Sequence, residues 1–135
     1  MERYLEALAR CLADLPPEEG APTIYVGGGT PTVLPAPLLA RLLALLAPRL
    51  AAGGEWTVEA NPESLDEEKC RLLREAGVTR LSVGVQSLRE EELAFLGRAH
   101  DGGKARAALA LAAAAGPPGL AADILLGLPG QGEEG

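Results

Sequence analysis

The sequence predicts an α/β protein with about four parallel strands and flanking helices, and three observations carry that prediction. Short β-type runs alternate with helical patterns in the order α-β-α-β-α-β-α-α-β, the alternation from which parallel sheets and barrels are built. The connections between strands are long enough for right-handed crossovers. Polar residues gather at the carboxyl ends of otherwise apolar runs, the edge where ligands bind in parallel architectures.

The elements follow in order. Leu5, Leu8, Leu12 and Leu15 recur at spacings of three and four, one face of a helix that Pro16-Pro17 should end. Thr23 to Val26 reads as a strand that stops at Gly27-Gly28-Gly29. Residues 36 to 47 form a Leu- and Ala-rich helix with prolines at its start and Pro48 near its end. Trp56 to Ala60 is the second strand, closed by Asn61-Pro62. Ser64 and Glu67 have the spacing of a capping box for a helix over residues 65 to 76, which Gly77 stops. Arg80 to Val85 is the third strand, Glu90 to Leu96 a short helix stopped by Gly97, and Lys104 to Ala115 an alanine-rich helix stopped by Gly116-Pro117-Pro118. Leu120 to Leu126 is the fourth strand, and Gln131 to Gly135 is a polar tail without a structural signal.

Composition narrows the function. The 135 residues suit one domain, and 47% hydrophobic residues can build a core, although 3% aromatics leave it to Leu, Val and Ala. Twelve basic against nineteen acidic residues give a net charge of −7, which disfavours nucleic acid as a partner. Cys11 and Cys70 have no metal-ligand spacing and read as reduced, core or near-core thiols. No apolar run approaches the roughly 20 residues of a membrane span. The N-terminus lacks the layout of a signal peptide, so the cytoplasm is the expected location.

Four strand ends break the apolar rule together. The first opens into Gly27-Gly28-Gly29-Thr30-Pro31, the second carries Glu59 and Asn61, the third Gln86 and Ser87, and the fourth contains Asp123 before Gly127-Leu128-Pro129-Gly130. Each has an ordinary reading. Three glycines can be a tight turn, and they match neither a Rossmann fingerprint nor a P-loop. Glu59 can be a solvated strand end, and Gln86 a buried amide serving loop carbonyls. Asp123, among Leu120, Ile124 and Leu125, reads as a buried carboxylate in need of partners. Their joint occurrence points to one ligand-binding rim. His100, the only histidine, reads as an ordinary loop residue, with a role near a bound ligand as the alternative.

Gly-Gly-Gly-Thr-Pro-Thr (27–32), Glu-Ala-Asn-Pro-Glu-Ser (59–64), Gly-Val-Thr-Arg-Leu-Ser-Val-Gly-Val-Gln-Ser (77–87), Leu-Gly-Arg-Ala-His (96–100) and Leu-Gly-Leu-Pro-Gly-Gln (126–131) occur in that order. Together they resemble the oxygen-independent coproporphyrinogen III oxidase family of radical S-adenosylmethionine (SAM) proteins, most closely its haem chaperone branch. The resemblance implies a segment of a partial parallel (β/α)6 barrel, with SAM lying across the carboxyl ends of the strands. It implies SAM contacts at Gly28, Gly29, Thr30, Glu59, Gln86, Arg98 and Asp123, with no catalytic residue and no metal ligand in this chain. The residue types suit those parts. Glycine backbone can approach the methionyl group, and Glu59 can pair with the ammonium or sulfonium side. Gln86 both donates and accepts, Asp123 can bind ribose hydroxyls, and Arg98 can grip a carboxylate in a bidentate fork.

The family holds a 4Fe–4S cluster with a Cys-x-x-x-Cys-x-x-Cys loop, and no such motif occurs in this sequence. The resemblance therefore implies a fragment of a longer parent: the first strand, cluster loop, sixth strand and C-terminal domain lie outside residues 1–135. In family members that do chemistry the cluster cleaves SAM, and in the oxidase this leads to decarboxylation of porphyrinogen propionates. In the chaperone branch haem is bound and delivered. Small molecules, SAM and in the parent haem or porphyrinogen, are the implied partners, and the chain alone is expected to be inactive; the alternatives are a haem-binding carrier without catalysis and a non-functional gene fragment.

Overall fold

The structure, a computed structural model, describes residues 1–15 and 20–131. Its elements are α1 (Glu2–Ala13), β1 (Ala21–Val26), α2 (Ala36–Leu46), β2 (Leu50–Ala60), α3 (Glu67–Glu75), β3 (Arg80–Gln86), α4 (Glu90–Phe95), α5 (Gly102–Ala115) and β4 (Gly119–Ile124). Three single-turn 3₁₀ segments, Pro31–Val33, Ala47–Arg49 and Pro62–Ser64, join them. The strands form one sheet in the order β1-β2-β3-β4, and every pair is parallel. Each crossover thus steps to the adjacent strand in the same direction. Right-handed crossovers that never reverse direction put their helices on one face of the sheet, as in a segment of a barrel.

That topology sorts the side chains of β2 and β3 by parity. Trp56, Val58 and Ala60 on β2 and Leu81, Val83 and Val85 on β3 face the helices and form the core with Leu39, Leu43, Leu73, Ala105 and Ala112. Each fully buried Leu or Val there contributes roughly 1.5–3 kcal/mol of transfer free energy. Small residues on α5, Ala105, Ala108 and Ala112, let that helix lie close on the sheet, so an alanine-rich segment still packs well. Residues of the other parity, Thr57, Glu59, Ser82 and Gly84, line the face that carries no helix.

Several boundaries differ from the expectation. α3 is capped by Asp66, whose Oδ1 accepts the Lys69 N–H at 2.8 Å, and not by Ser64. The helix begins at Glu67, so Ser64 lies too early to reach its orphan N–H groups. Ser64 instead closes the Pro62–Ser64 turn, its Oγ donating to the Asn61 carbonyl at 2.9 Å. β2 starts at Leu50 rather than Trp56: pairing with β1, through a bulge between Ala21 and Thr23, recruits a stretch with no strand periodicity. α5 starts at Gly102 because Asp101 caps it, accepting the Lys104 N–H at 2.7 Å. β4 ends at Ile124 rather than Leu126, after which the Leu125 N–H turns to the Gln86 carbonyl at 2.9 Å. Cys11 is exposed on α1, against the expectation of a core thiol, whereas Cys70 is buried. Burial, reinforced by Asp66, pushes the Cys70 thiol up from its ordinary pKa. The Pro16-Pro17 helix stop lies outside the described residues. Among the described residues no helix is long and apolar enough to cross a membrane.

The one-sided core sets a stability test. Leu81→Ala, on a central strand at 0% exposure, should cost about 2–5 kcal/mol in urea unfolding. Leu120→Ala, exposed on the edge strand, should change stability by about 0.5 kcal/mol or less. Equal losses for the two would contradict this division of the sheet.

Candidate functional site

The carboxyl ends of all four strands open on one edge, and the polar groups there form two linked clusters. The first centres on Glu59. Its Oε1 accepts the Tyr25 hydroxyl at 2.6 Å, and its Oε2 accepts the Gly28 N–H at 3.1 Å. Glycine at position 27 is what permits this. A Cβ there would lie 2.6 Å from Glu59 Oε2 and 2.8 Å from the Tyr25 ring, closer than any real contact, so Gly27 lets β1 and the carboxylate of β2 touch. Gly28 has φ +99° and turns its N–H back to Glu59, and Gly28 and Gly29 have open space on their Cβ sides.

The second cluster surrounds Gly84 on β3. Asn61, at the end of β2, donates from Nδ2 to Thr30 Oγ1 at 2.9 Å and accepts the Arg98 Nη2 N–H at 2.8 Å. Arg98 Nη2 also donates to the Gly84 carbonyl at 3.0 Å. A Cβ on Gly84 would lie 2.8 Å from Gln86 Nε2 and 3.1 Å from Asn61 Oδ1. A bare backbone at this point therefore lets three polar side chains converge. Both Nη2 hydrogens of Arg98 are committed to protein acceptors, and Arg98 Nε is a buried donor without a hydrogen-bond partner. A two-pronged grip on a carboxylate would require Nη2 to exchange one of its partners for the ligand.

Asp123 departs from the expected buried carboxylate: it is exposed. β4 is an edge strand, and Asp123 pairs in register with Gly84 on the helix-free face rather than pointing into the core. The Ser82 hydroxyl lies 2.9 and 3.1 Å from its two oxygens and fixes its orientation. Ser82 in turn pairs with Glu59, so Glu59, Ser82, Gly84 and Asp123 share one face across three strands, a span of about 10 Å. A nucleoside-sized molecule can bridge that distance. Ser87 is buried; its Oγ donates to Glu92 Oε2 and accepts the Arg89 N–H at 3.0 Å.

Supporting residues were missed by the sequence reading. Tyr25 and Ser82 carried a usable signal, since each keeps the parity of a rim residue on its own strand. Lys69 did not. It reaches back from α3 to the carbonyls of Thr32 and Ser64 at 2.7 and 3.0 Å and ties the two rim loops together. Thr32 Oγ1 and Ser64 Oγ, 2.5 Å apart, add a second tie. Gln131 closes the last loop, its Oε1 accepting the N–H groups of Gly127 and Leu128 at 2.7 and 3.2 Å. His100 is no ordinary loop residue: it is buried, with both ring nitrogens engaged.

The donor set does not suit an iron–sulfur cluster. Cys11 and Cys70 lie on different helices, one exposed and one buried, and the described residues hold no group of three or more His, Cys, Asp or Glu that could hold a metal.

The sequence pattern of the radical SAM superfamily matches residues 1–135. The heme chaperone HemW of Bacillus subtilis is 36% identical over 137 residues, covering 97% of this chain and 36% of the relative. That of Escherichia coli is 42% identical over 114 residues, covering 83% of this chain and 30% of the relative. Among solved structures, the coproporphyrinogen III oxidase HemN of Escherichia coli, described as a radical SAM enzyme, superposes with a TM-score of 0.85 at 30% identity, over 98% of this chain and 32% of that one. The chain spans about a third of the length of these curated relatives.

The Tyr25–Glu59 bond has a measurable consequence. The hydrogen bond to Glu59 pushes the Tyr25 phenol above its ordinary 10.0, with burial and the negative charges of Glu59 and Asp123 adding to it. The folded state therefore holds this proton more tightly than the unfolded chain. The stabilisation is complete below about pH 10 and is lost as pH climbs through the raised value. In a Tyr4→Phe background, phenolate absorbance should report Tyr25 alone, and Glu59→Gln should bring its titration back toward the ordinary value. An unchanged titration in Glu59→Gln would remove Glu59 as the cause.

Proposed function

This chain belongs to the radical SAM superfamily, in its HemN/HemW-like family, and we propose that its strand-end rim is the SAM-binding part of a protein of haem metabolism. The observation that carries this reading is the convergence of Glu59, Asn61, Gln86 and Arg98 on one edge of a parallel sheet, beside a glycine turn with free space. In this assignment Gly28, Gly29 and Thr30 offer backbone to the methionyl group, and Glu59 faces its ammonium. Arg98 takes the carboxylate through Nη1, with Nη2 holding Asn61 and Gly84. Gln86 supplies a donor and an acceptor, and Asp123, held by Ser82, accepts from ribose hydroxyls. SAM, once bound, brings the superfamily's one-electron chemistry. The ligands of a 4Fe–4S cluster do not fit any residues of this chain, so they belong to a segment outside these 135 residues, and the chain alone binds SAM without cleaving it.

The domain reading is an incomplete barrel. The apolar cleft of about 690 Å³ between α1, β1 and α2, and the exposed Leu120 and Ile124 on β4 with Leu125 and Leu126 just after it, suit further strands packing at both margins. The relatives named as haem chaperones favour haem binding and delivery by the parent, with porphyrinogen oxidation as the second reading. The cytoplasm suits either.

Calorimetric titration of the chain with SAM tests the rim. Saturable one-to-one binding is expected, and Glu59→Gln and Asp123→Asn should each weaken it by about tenfold, the scale of one charged hydrogen bond. A folded chain that takes up no SAM at millimolar concentration would sink the proposal. After attempted cluster reconstitution, the chain should yield no 5′-deoxyadenosine under a strong reductant. Product formation would show that cluster ligands had been overlooked.

A further inference from the structure

His100 is 4% exposed, and its imidazole touches two groups. Nε2 lies 3.1 Å from the Val85 carbonyl, and Nδ1 lies 3.0 Å from Glu63 Oε2. Both partners are acceptors: a carbonyl has no proton to give, and neither has a carboxylate. A neutral imidazole has one N–H and one bare nitrogen, which would set a lone pair against one of these oxygens. Protons on both nitrogens remove that clash and neutralise the buried ring against Glu63.

The Val85 carbonyl is a special acceptor. It also accepts the Ser87 N–H at 2.8 Å, an i→i+2 bond around Gln86. Gln86 has φ +66° and is the only described residue other than glycine with a positive φ. This is a γ-turn at the end of β3, a strained conformation for a non-glycine residue that persists only where its surroundings enforce it. It coincides with the register shift between Gly84 and Gln86, and it folds the Gln86 amide back over Gly84 toward Asn61. The same imidazole anchors the Pro62–Ser64 turn that follows Asn61, through Glu63. His100 therefore joins the ends of β2 and β3 at their two irregular points, two residues after Arg98 in the chain.

We propose that His100 is a positioning residue, a doubly protonated imidazole that holds the strained Gln86 turn and the Asn61–Ser64 loop in the geometry that presents Asn61 and Gln86 to the ligand. The identity of that ligand rests on the SAM reading above; the proton arrangement and the turn do not.

The single histidine makes the test direct. With ¹⁵N-labelled histidine in the full chain at pH 7, both ring nitrogens should show protonated shifts. Glu63→Gln should remove the proton from Nδ1 only, because the glutamine amide can donate to it. A bare ring nitrogen in the unaltered protein overturns the proposal. His100→Gln keeps one donor but no charge, and it should speed hydrogen exchange of the Ser87 N–H by about tenfold relative to core amides of β3. SAM affinity should fall by a similar factor, as for outer-shell partners of other sites. If His100→Gln does not fold, His100→Asn, whose shorter amide cannot reach both Val85 and Glu63, provides the same exchange comparison. Unchanged Ser87 exchange in the folded variant also overturns the proposal. A protein that passes the nitrogen and exchange measurements yet takes up no SAM refutes only the choice of ligand.

Discussion

The controlling constraint is that every crossover advances the sheet in one direction, so helices cover one face and leave the other to solvent or ligand. Strand residues of one parity must then be apolar, and those of the other can be polar at little cost. Trp56-Thr57-Val58-Glu59 and Leu81-Ser82-Val83-Gly84 obey that rule residue by residue. Because the helix-covered core is dense, with Trp56, Val58, Leu81 and Val83 at 0% exposure, the strands cannot slide. A shift of one residue would put Glu59 and Ser82 into that core. The stability of the apolar face is thus what gives the polar face its fixed positions.

On the polar face, precision comes from contacts within the protein. Glu59 is oriented by Tyr25 and Gly28, Asp123 by Ser82, and Asn61 by Thr30 and Arg98. These bonds cross from β1 to β2 and from β3 to β4, and Arg98 bridges Asn61 after β2 to the Gly84 carbonyl of β3. Two glycines make the crossings possible, Gly27 under Glu59 and Gly84 under Asn61 and Gln86. A methyl group at either would push apart side chains that must meet. The rim is preorganised before any ligand arrives, which reduces the ordering that binding must accomplish.

The fold class was legible because alternation of strand and helix is a property of local sequence, and four parallel strands follow from it. The strand ends were legible for a related reason: Glu59 and Gln86 are polar where a buried parallel strand tolerates little polarity. Asp123 was misjudged because its neighbours Leu120, Ile124 and Leu125 are apolar, and sequence does not say that β4 is an edge with one bare face. The cap was misplaced by two residues because Asp66 offers the same capping chemistry as Ser64 nearer the helix. His100 and Lys69 were out of reach for another reason. Their partners, Glu63 and Val85 for one, Thr32 and Ser64 for the other, come together only through the tertiary fold. The need for glycine at 27 and 84 was equally hidden, since close approach between strands leaves no local pattern.

The charge arrangement of the rim narrows the ligand further. Two carboxylates, Glu59 and Asp123, lie on one face two strands apart; the guanidinium at the strand ends, Arg98, has its Nη2 occupied by Asn61 and Gly84, and Arg80, on the same face toward the strand starts, is engaged by Thr57 and Glu55. A polyphosphate would meet two negative groups and only part of one positive group, at an unfavourable balance. A zwitterion carrying two positive centres and one carboxylate matches the inventory: acid for the cationic end, Nη1 of Arg98 for the carboxylate, and acid again for sugar hydroxyls. SAM has that distribution of charge, and an uncharged nucleoside lacks the part of it that Glu59 would recognise. The electrostatics of the rim therefore favour the same ligand class as the family relationship, from a separate physical property.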